Sequence, residues 1–343
     1  MSENTQFGFL HSFLRPRILG DNAAQAWVMR PAAAASGELV EMDDVRRAYP
    51  GYDWADPNLN LQTFSRMFGT LEPGKIGYMY FFGRGVGTTS PSDYTPLFRL
   101  ESIATSLATV QSDGAVHYKA GQIILFLDWN TGEVLDSWRN PYTNEVCEVF
   151  HYRDHPLGYT VDHARPEKRY TDDRDRVSVD PTADSSRGRP VTWHFRKNWA
   201  FGENFSATKI KTRLDPQVWR RESVGDYWTT FEHYQWQAKI EEIADPSIPQ
   251  IKSFRGDFQT FKPWDPWMMM DQRPGKIFQQ KTVMNIDNFD AVPRHVMAYV
   301  EKHMAQYLDL SAVPAKAFKL NDQHYQELRK PAAAPSQNNS GNR

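Results

Sequence analysis

A single cysteine, Cys147, stands in a chain of 343 residues. One thiol excludes a disulfide framework, an iron–sulfur site and a zinc cluster of thiolates. Its apolar neighbours make it a buried structural thiol. No apolar run is long enough to span a bilayer. The first 35 residues carry Arg15, Arg17 and Arg30 and no continuous apolar segment, so no secretory signal is read and the expected compartment is cytoplasmic. An excess of one charge is also lacking. Lys plus Arg number 40 against 42 Asp plus Glu, a net charge of -2, and the basic runs are interleaved with acids or apolar residues. Such a surface does not suit phosphate neutralisation, which argues against nucleic-acid binding. The common cofactor and nucleophile motifs are missing as well. Gly83-Arg84-Gly85-Val86-Gly87 follows a strand but lacks the third glycine and the helix of a dinucleotide site. There is no phosphate-binding loop with Gly-Lys-Ser/Thr and no Gly-x-Ser-x-Gly elbow.

What the chain does have is aromatic side chains, 13% of its residues with 11 Trp. They concentrate in Pro263-Trp264-Asp265-Pro266-Trp267-Met268-Met269-Met270, followed by Asp271-Gln272-Arg273-Pro274-Gly275. Two prolines keep this stretch out of a central strand or helix interior. It is either a plug in the core or the wall of a pocket for an apolar, aromatic molecule.

Elsewhere the pattern is that of strands. Ile76, Tyr78, Tyr80 and Phe82 alternate with Met79 and Phe81. Glycines 83, 85 and 87 are expected to end that strand in a loop. Asp113-Gly114, Asn130-Thr131-Gly132-Glu133 and Asn140 to Glu145 read as turns between further strands, a meander. Asn58–Phe68 reads as a short helix with Asn58 as its cap and Gly69 as its stop. A helix from about Asp290 to Leu308 is amphipathic, with Val292, Val296, Tyr299, Val300 and His303 at helical spacing. Residues 164–190 form a charged loop or lid. Strand patterning resumes at 191–201 and 227–237. The predicted fold is mainly β, a curled antiparallel sheet or β-barrel with flanking helices and a C-terminal amphipathic helix. The expected division is an N-terminal arm and short helix over 1–74, the β domain over 75–310, and a mostly disordered tail over 311–343.

Several segments together resemble the family called domain of unknown function 1838. They are Asp128 to Trp138, Asn140 to Glu145, the Val149–Pro156 stretch with His151, and Pro263 to Met268 followed by Arg273-Pro274-Gly275. The resemblance covers roughly Lys75 to Met304. It departs at Arg153-Asp154-His155-Pro156, where Asn-Asp-Pro is expected, and in the charged 164–190 loop. It implies the architecture and the choice of motifs, and it implies no reaction.

Proton transfer needs His, Tyr or carboxylate groups tuned by burial. The candidate catalytic residues are His151 as base, Glu101 and Arg273 to stabilise developing charge, and Tyr80. The candidate substrate walls are Trp264, Trp267, Met269, Trp138, Tyr142, Tyr78 and His194. Each has a plainer reading: a core histidine for His151, an inward bridge to Arg99 for Glu101, a bridge to Asp265 or Asp271 for Arg273, a solvent-facing pair with Arg196 for His194, and core packing for the indoles. His151 with Asp154, His155, His194 and His233 invites a metal test, but the simpler reading takes no metal and no cofactor.

The expected function is a cofactor-independent lyase or isomerase acting on a small aromatic, lignin-like or polyketide-like molecule. The alternatives are a carrier for a hydrophobic ligand and a metal-dependent oxygenase. The partner is a small aromatic or apolar ligand, with no nucleic acid and no membrane; a homo-oligomer is compatible with the reading. The enzyme reading requires His151 and a carboxylate or Arg to converge on one cavity.

Overall fold

The computed structural model describes residues 39–90, 92–161, 177–179, 192–311 and 321–331. Their dominant feature is one antiparallel sheet of 11 strands, and it is open. In chain order the strands are β1 (Leu39–Val40), β2 (Gly77–Ser90), β3 (Asp93–Val110), β4 (Val116–Leu127), β5 (Ser137–Arg139), β6 (Val146–Glu148), β7 (Tyr152–Val161), β8 (Val177–Val179), β9 (Thr192–Arg196), β10 (Trp199–Lys211), β11 (Tyr227–Lys239), β12 (Arg255–Lys262) and β13 (Lys276–Ile286). The large sheet runs β1-β9-β10-β11-β12-β13-β2-β3-β4-β7, with β8 on β10, while β5 and β6 form a separate hairpin. Two meanders are thus joined where β13 returns to β2. Of the two expected forms, the curled sheet is the one observed, because β1 and β7 end the path without pairing to each other.

Strand β2 does not stop at its glycines. It continues through them, because a side chain there would collide with what packs above. A Cβ on Gly85 would lie 2.5 Å from the Phe98 ring, and one on Gly87 would lie 2.5 Å from the Tyr142 hydroxyl. These glycines mark close approach within a strand, not a flexible exit.

Helices α1 (Met42–Ala48) and α2 (Pro57–Met67) precede β2. The cap of α2 is Asp56, two residues earlier than the cap expected at Asn58: its carboxylate accepts from the Asn58 and Leu59 amides. Gly69, at φ +154°, follows the helix end. Helix α3 (Ile240–Ala244) follows β11, and α4 (Arg294–His303) is the amphipathic helix, flanked by 3-10 turns at Phe289–Ala291 and Ala305–Tyr307. Helix α5 (Asn321–Leu328) lies in the expected tail and buries His324 and Tyr325. Tyr325 docks against Phe150 and Trp219, which is why the segment is ordered. Of the charged 164–190 loop, only β8 is among the described residues.

The sheet carries a core on each face. Tyr80, Ile103, Ile123, Leu125 and Leu127 are cross-strand neighbours that pack under Val296, Val300 and Met304 at the α4 end of the chain. On the other face Phe98, Leu100 and Phe126 pack under the β5–β6 hairpin and the Trp264–Met270 stretch.

Candidate functional site

The proline-broken aromatic stretch links β12 to β13, and it is a plug. Pro266–Met268 make a 3-10 turn, and Met269 then takes φ +53°. Trp267 is fully buried, with its ring 5.0 Å from Phe126, 5.4 Å from Trp138 and 6.1 Å from Phe98. The Asn140 amide donates to the Met268 carbonyl at 2.7 Å, and the Trp138 indole donates to the Leu97 carbonyl at 3.2 Å. Trp264 donates to the Arg273 carbonyl at 3.1 Å and packs 5.1 Å from Tyr142. Met269 is half-buried against the same cluster. The rings expected as pocket walls therefore hold the hairpin onto the sheet, and neither of the two cavities described below is lined by Trp264, Trp267, Met269, Trp138 or Tyr142.

Arg273 is exposed, and the plug engages its backbone: its carbonyl accepts from Trp264 and its amide donates to the Met270 carbonyl at 2.9 Å. The carboxylate of Asp265 takes Tyr152 and Lys262 instead. His194 is exposed and sits with His233 around Glu203, at 4.0 and 3.6 Å. Tyr78 packs on Phe289 and lines a groove of about 320 Å³ with Thr70, Lys75 and Asp287.

Tyr80 and Glu101 do meet. The phenol donates to the Glu101 carboxylate on the α4 side of the sheet. Burial raises the Glu101 pKa; the Tyr80 hydrogen bond, His295 and Arg99 oppose the rise. Burial and Glu101 both push the Tyr80 pKa up. This pair lines neither cavity.

His151 stands elsewhere, between β6 and β7, and is 4% exposed. The Phe126 amide donates to its Nδ1 at 3.1 Å. A backbone N–H can only donate, so the ring's lone pair is on Nδ1 and the proton of the neutral ring is on Nε2. Nε2 is buried and makes no hydrogen bond among the described residues. The nearby Leu135 carbonyl favours a charged ring without meeting hydrogen-bond geometry. Burial lowers the His151 pKa to about 4, helped by Arg153 and opposed by Asp136. The ring is therefore neutral at pH 7. Its only lone pair is already occupied, so a base role at Nε2 does not fit, and the group is a hydrogen-bond donor.

His151 lines a cavity of about 420 Å³ with Asp136, Glu148, Val149, Arg153, Tyr299, His303, Met304 and Arg329. Tyr299 stands edge-on to His151 at 5.1 Å and donates to Asp136 at 3.4 Å. Burial and Asp136 raise its phenol pKa. Arg329, just after α5, pairs with Glu148 at 2.6 Å. Arg153 lies over the rings of Phe150 and Tyr307, at 4.9 and 5.6 Å, and its Nε is buried without a partner among the described residues.

Of the expected catalytic set only His151 is in this cavity. Sequence reading placed Tyr299 and His303 in an apolar helix stripe, and it read Asp136 only as part of a family motif. Their i, i+4 spacing on α4 is the signal that could have marked Tyr299 and His303 as a polar edge. Arg329 lay in a segment expected to be disordered. No group of three His, Cys, Asp or Glu side chains placed to hold a metal occurs among the described residues. No helix there is long and apolar enough to cross a membrane.

Fold and cavity together define a mainly β protein whose open sheet carries a polar cavity beside its C-terminal helices. The profile of the family described as "Protein of unknown function (DUF1838)" matches residues 89–317, most of the chain, and the chain belongs to that family. The matched span contains the motif segments from Asp128 to Pro156 and from Pro263 to Gly275, and with them the aromatic plug and the whole cavity lining except Arg329. No curated protein matches the chain. Among solved structures, a mutant Rh. blastica porin aligns at 6% identity over 62% of this chain and 99% of the porin, with a TM-score of 0.15, too low to bear on fold or function.

Proposed function

We propose that this chain binds a small organic molecule in the His151 cavity and moves a proton on it, as a lyase or isomerase. The observation that carries the reading is a buried, neutral His151 whose Nε2–H makes no well-formed hydrogen bond among the described residues, beside a cavity shared with Asp136, Tyr299 and Arg153. In this reading the Nε2–H polarises a substrate oxygen, as a fixed neutral donor does. Asp136 accepts the proton, and Tyr299, protonated at neutral pH, returns one. The Trp-rich plug supplies no wall for a substrate, and the polar lining of the cavity takes that part. A cytoplasmic setting fits the one buried free thiol, Cys147.

A second reading, binding without turnover, is favoured by the Asp136–Tyr299 and Glu148–Arg329 contacts, which already engage most of the polar lining. A panel of small carbonyl compounds incubated with the protein in D2O separates the two by proton NMR. Loss of an α-proton signal with the wild type, abolished in Asp136→Asn and His151→Phe, is the result expected. Binding without exchange in any compound would favour the second reading.

A further inference from the structure

We propose, resting on that reading of the cavity, that its ligand is a small carboxylate monoanion, seated with its oxygens between Arg153 and the Nε2–H of His151. The argument is one of matched and unmatched groups. Two of the charged groups in the lining are paired with each other, Glu148 with Arg329 at 2.6 Å. Asp136 receives the Tyr299 hydroxyl at 3.4 Å. Arg153 has no carboxylate partner among the described residues, and its Nε is buried with no acceptor. Arg153 follows His151 by two residues and lines the same cavity. Two buried donors on residues that line one cavity are therefore left without an acceptor among the described residues, and each unmade buried hydrogen bond is costly.

The geometry narrows what fills the gap. Arg153 lies over the Phe150 and Tyr307 rings, at 4.9 and 5.6 Å, and these contacts restrict its planar fork. A planar fork suits a planar carboxylate, which accepts from guanidinium and imidazole at once. One guanidinium and one neutral donor balance a single negative charge. A dianion such as phosphate would bring surplus charge toward Asp136 and Glu148, which line the same cavity. A neutral amide offers one acceptor oxygen and forgoes the two-point, charge-assisted pairing with the guanidinium. The cavity of about 420 Å³ has room for one ring or a short chain behind the carboxylate, with the Tyr299 ring as one wall.

The test uses the full chain with benzoate, benzamide and inorganic phosphate as probes, by calorimetry and by the 15N shift of the His151 ring. Benzoate is expected to bind at least tenfold more tightly than either benzamide or phosphate and to shift the Nε2 resonance. Arg153→Gln should weaken benzoate at least tenfold and leave benzamide unchanged, with Arg153→Lys in between. If Arg153→Gln fails to fold, the wild-type probe preference and the Nε2 shift still decide. Benzamide binding as well as benzoate, phosphate binding more tightly, or benzoate binding that leaves Nε2 unmoved would overturn the inference while leaving the cavity a ligand site. Absence of binding by every probe at millimolar concentration would overturn both. Benzoate binding with no α-proton exchange in the D2O panel supports the carboxylate inference and removes the turnover reading.

Discussion

Acid should destabilise this protein through His151 in a way that one substitution removes. The folded ring has its pKa lowered to about 4 by burial and by Arg153, with Asp136 opposing and His303 adding a small push in the same direction. In the unfolded chain the ring titrates near about 6.5. Between those two values the unfolded state holds a proton that the folded state refuses. Stability therefore rises with pH across that window, is lost as pH falls through it, and levels off below about 4. Each unit of separation is worth about 1.4 kcal/mol, so the full effect is about 3 kcal/mol and roughly 2 kcal/mol is already lost between pH 7 and 4.5. His151→Asn is the comparison to make. Its side-chain oxygen can still accept from the Phe126 amide, but it does not titrate. Urea unfolding at pH 7, 6, 5 and 4.5 on both proteins, taken as a difference, cancels the carboxylates common to the two. The stability advantage of the wild type should shrink by about 2 kcal/mol toward pH 4.5. Parallel curves would show that the ring is not a buried neutral donor, and the reading of the cavity would go with it.

Three further outcomes follow from the packing. Trp267→Ala empties a fully buried indole site among Phe98, Phe126 and Trp138 and should cost about 3–5 kcal/mol in chemical denaturation, whereas a pocket-wall residue would cost far less. Gly85→Ala sets a methyl against the buried Phe98 ring and should cost about 1–3 kcal/mol; a neutral effect would mean that the strand gives way there. Glu101 has its pKa raised by burial, so its contribution is present at acid pH and is lost as pH rises through the folded value. Glu101→Gln should accordingly improve stability at pH 8 relative to pH 5, and a variant whose pH profile overlays the wild type would contradict the burial of that carboxyl.

Most of the strand pattern was legible because period-2 alternation and turn chemistry are local. Gly114 and Gly132 take positive φ at the turns where Asp113-Gly114 and Asn130 to Glu133 placed them. The helix near Asp290 was legible for the same reason, as an apolar stripe at helical spacing, now seen as α4 with buried Val296 and Val300. The glycines of β2 misled because a glycine that ends a strand and one that admits a neighbouring ring look alike in one dimension. Strand β12, with Gly256 and Asp257 in its sequence, lacks clean alternation and went unread.

The candidate site was legible in one residue. His151 was identifiable as a buried histidine near family motifs, but its role depends on the Phe126 amide, which comes from β4, 25 residues away. Arg153, Tyr299 and Arg329 reach the same cavity from three different segments.

Composition and periodicity were enough to establish a mainly β chain without thiolate or phosphate-binding motifs, and the motif segments from Asp128 to Pro156 and from Pro263 to Gly275 carried its resemblance to the family. Those properties lie in neighbours in sequence, while the choice between an open sheet and a barrel fell to the tertiary structure. Whether the Trp-rich stretch wraps a ligand or fills the core was a question of what lies on its other side, and Phe98, Phe126 and Trp138 answered it. The protonation state of His151 and the company of Arg153 were likewise settled by contacts between distant strands and helices. A hydrogen bond or a buried charge acquires its meaning only from partners that the folded chain brings within a few ångströms.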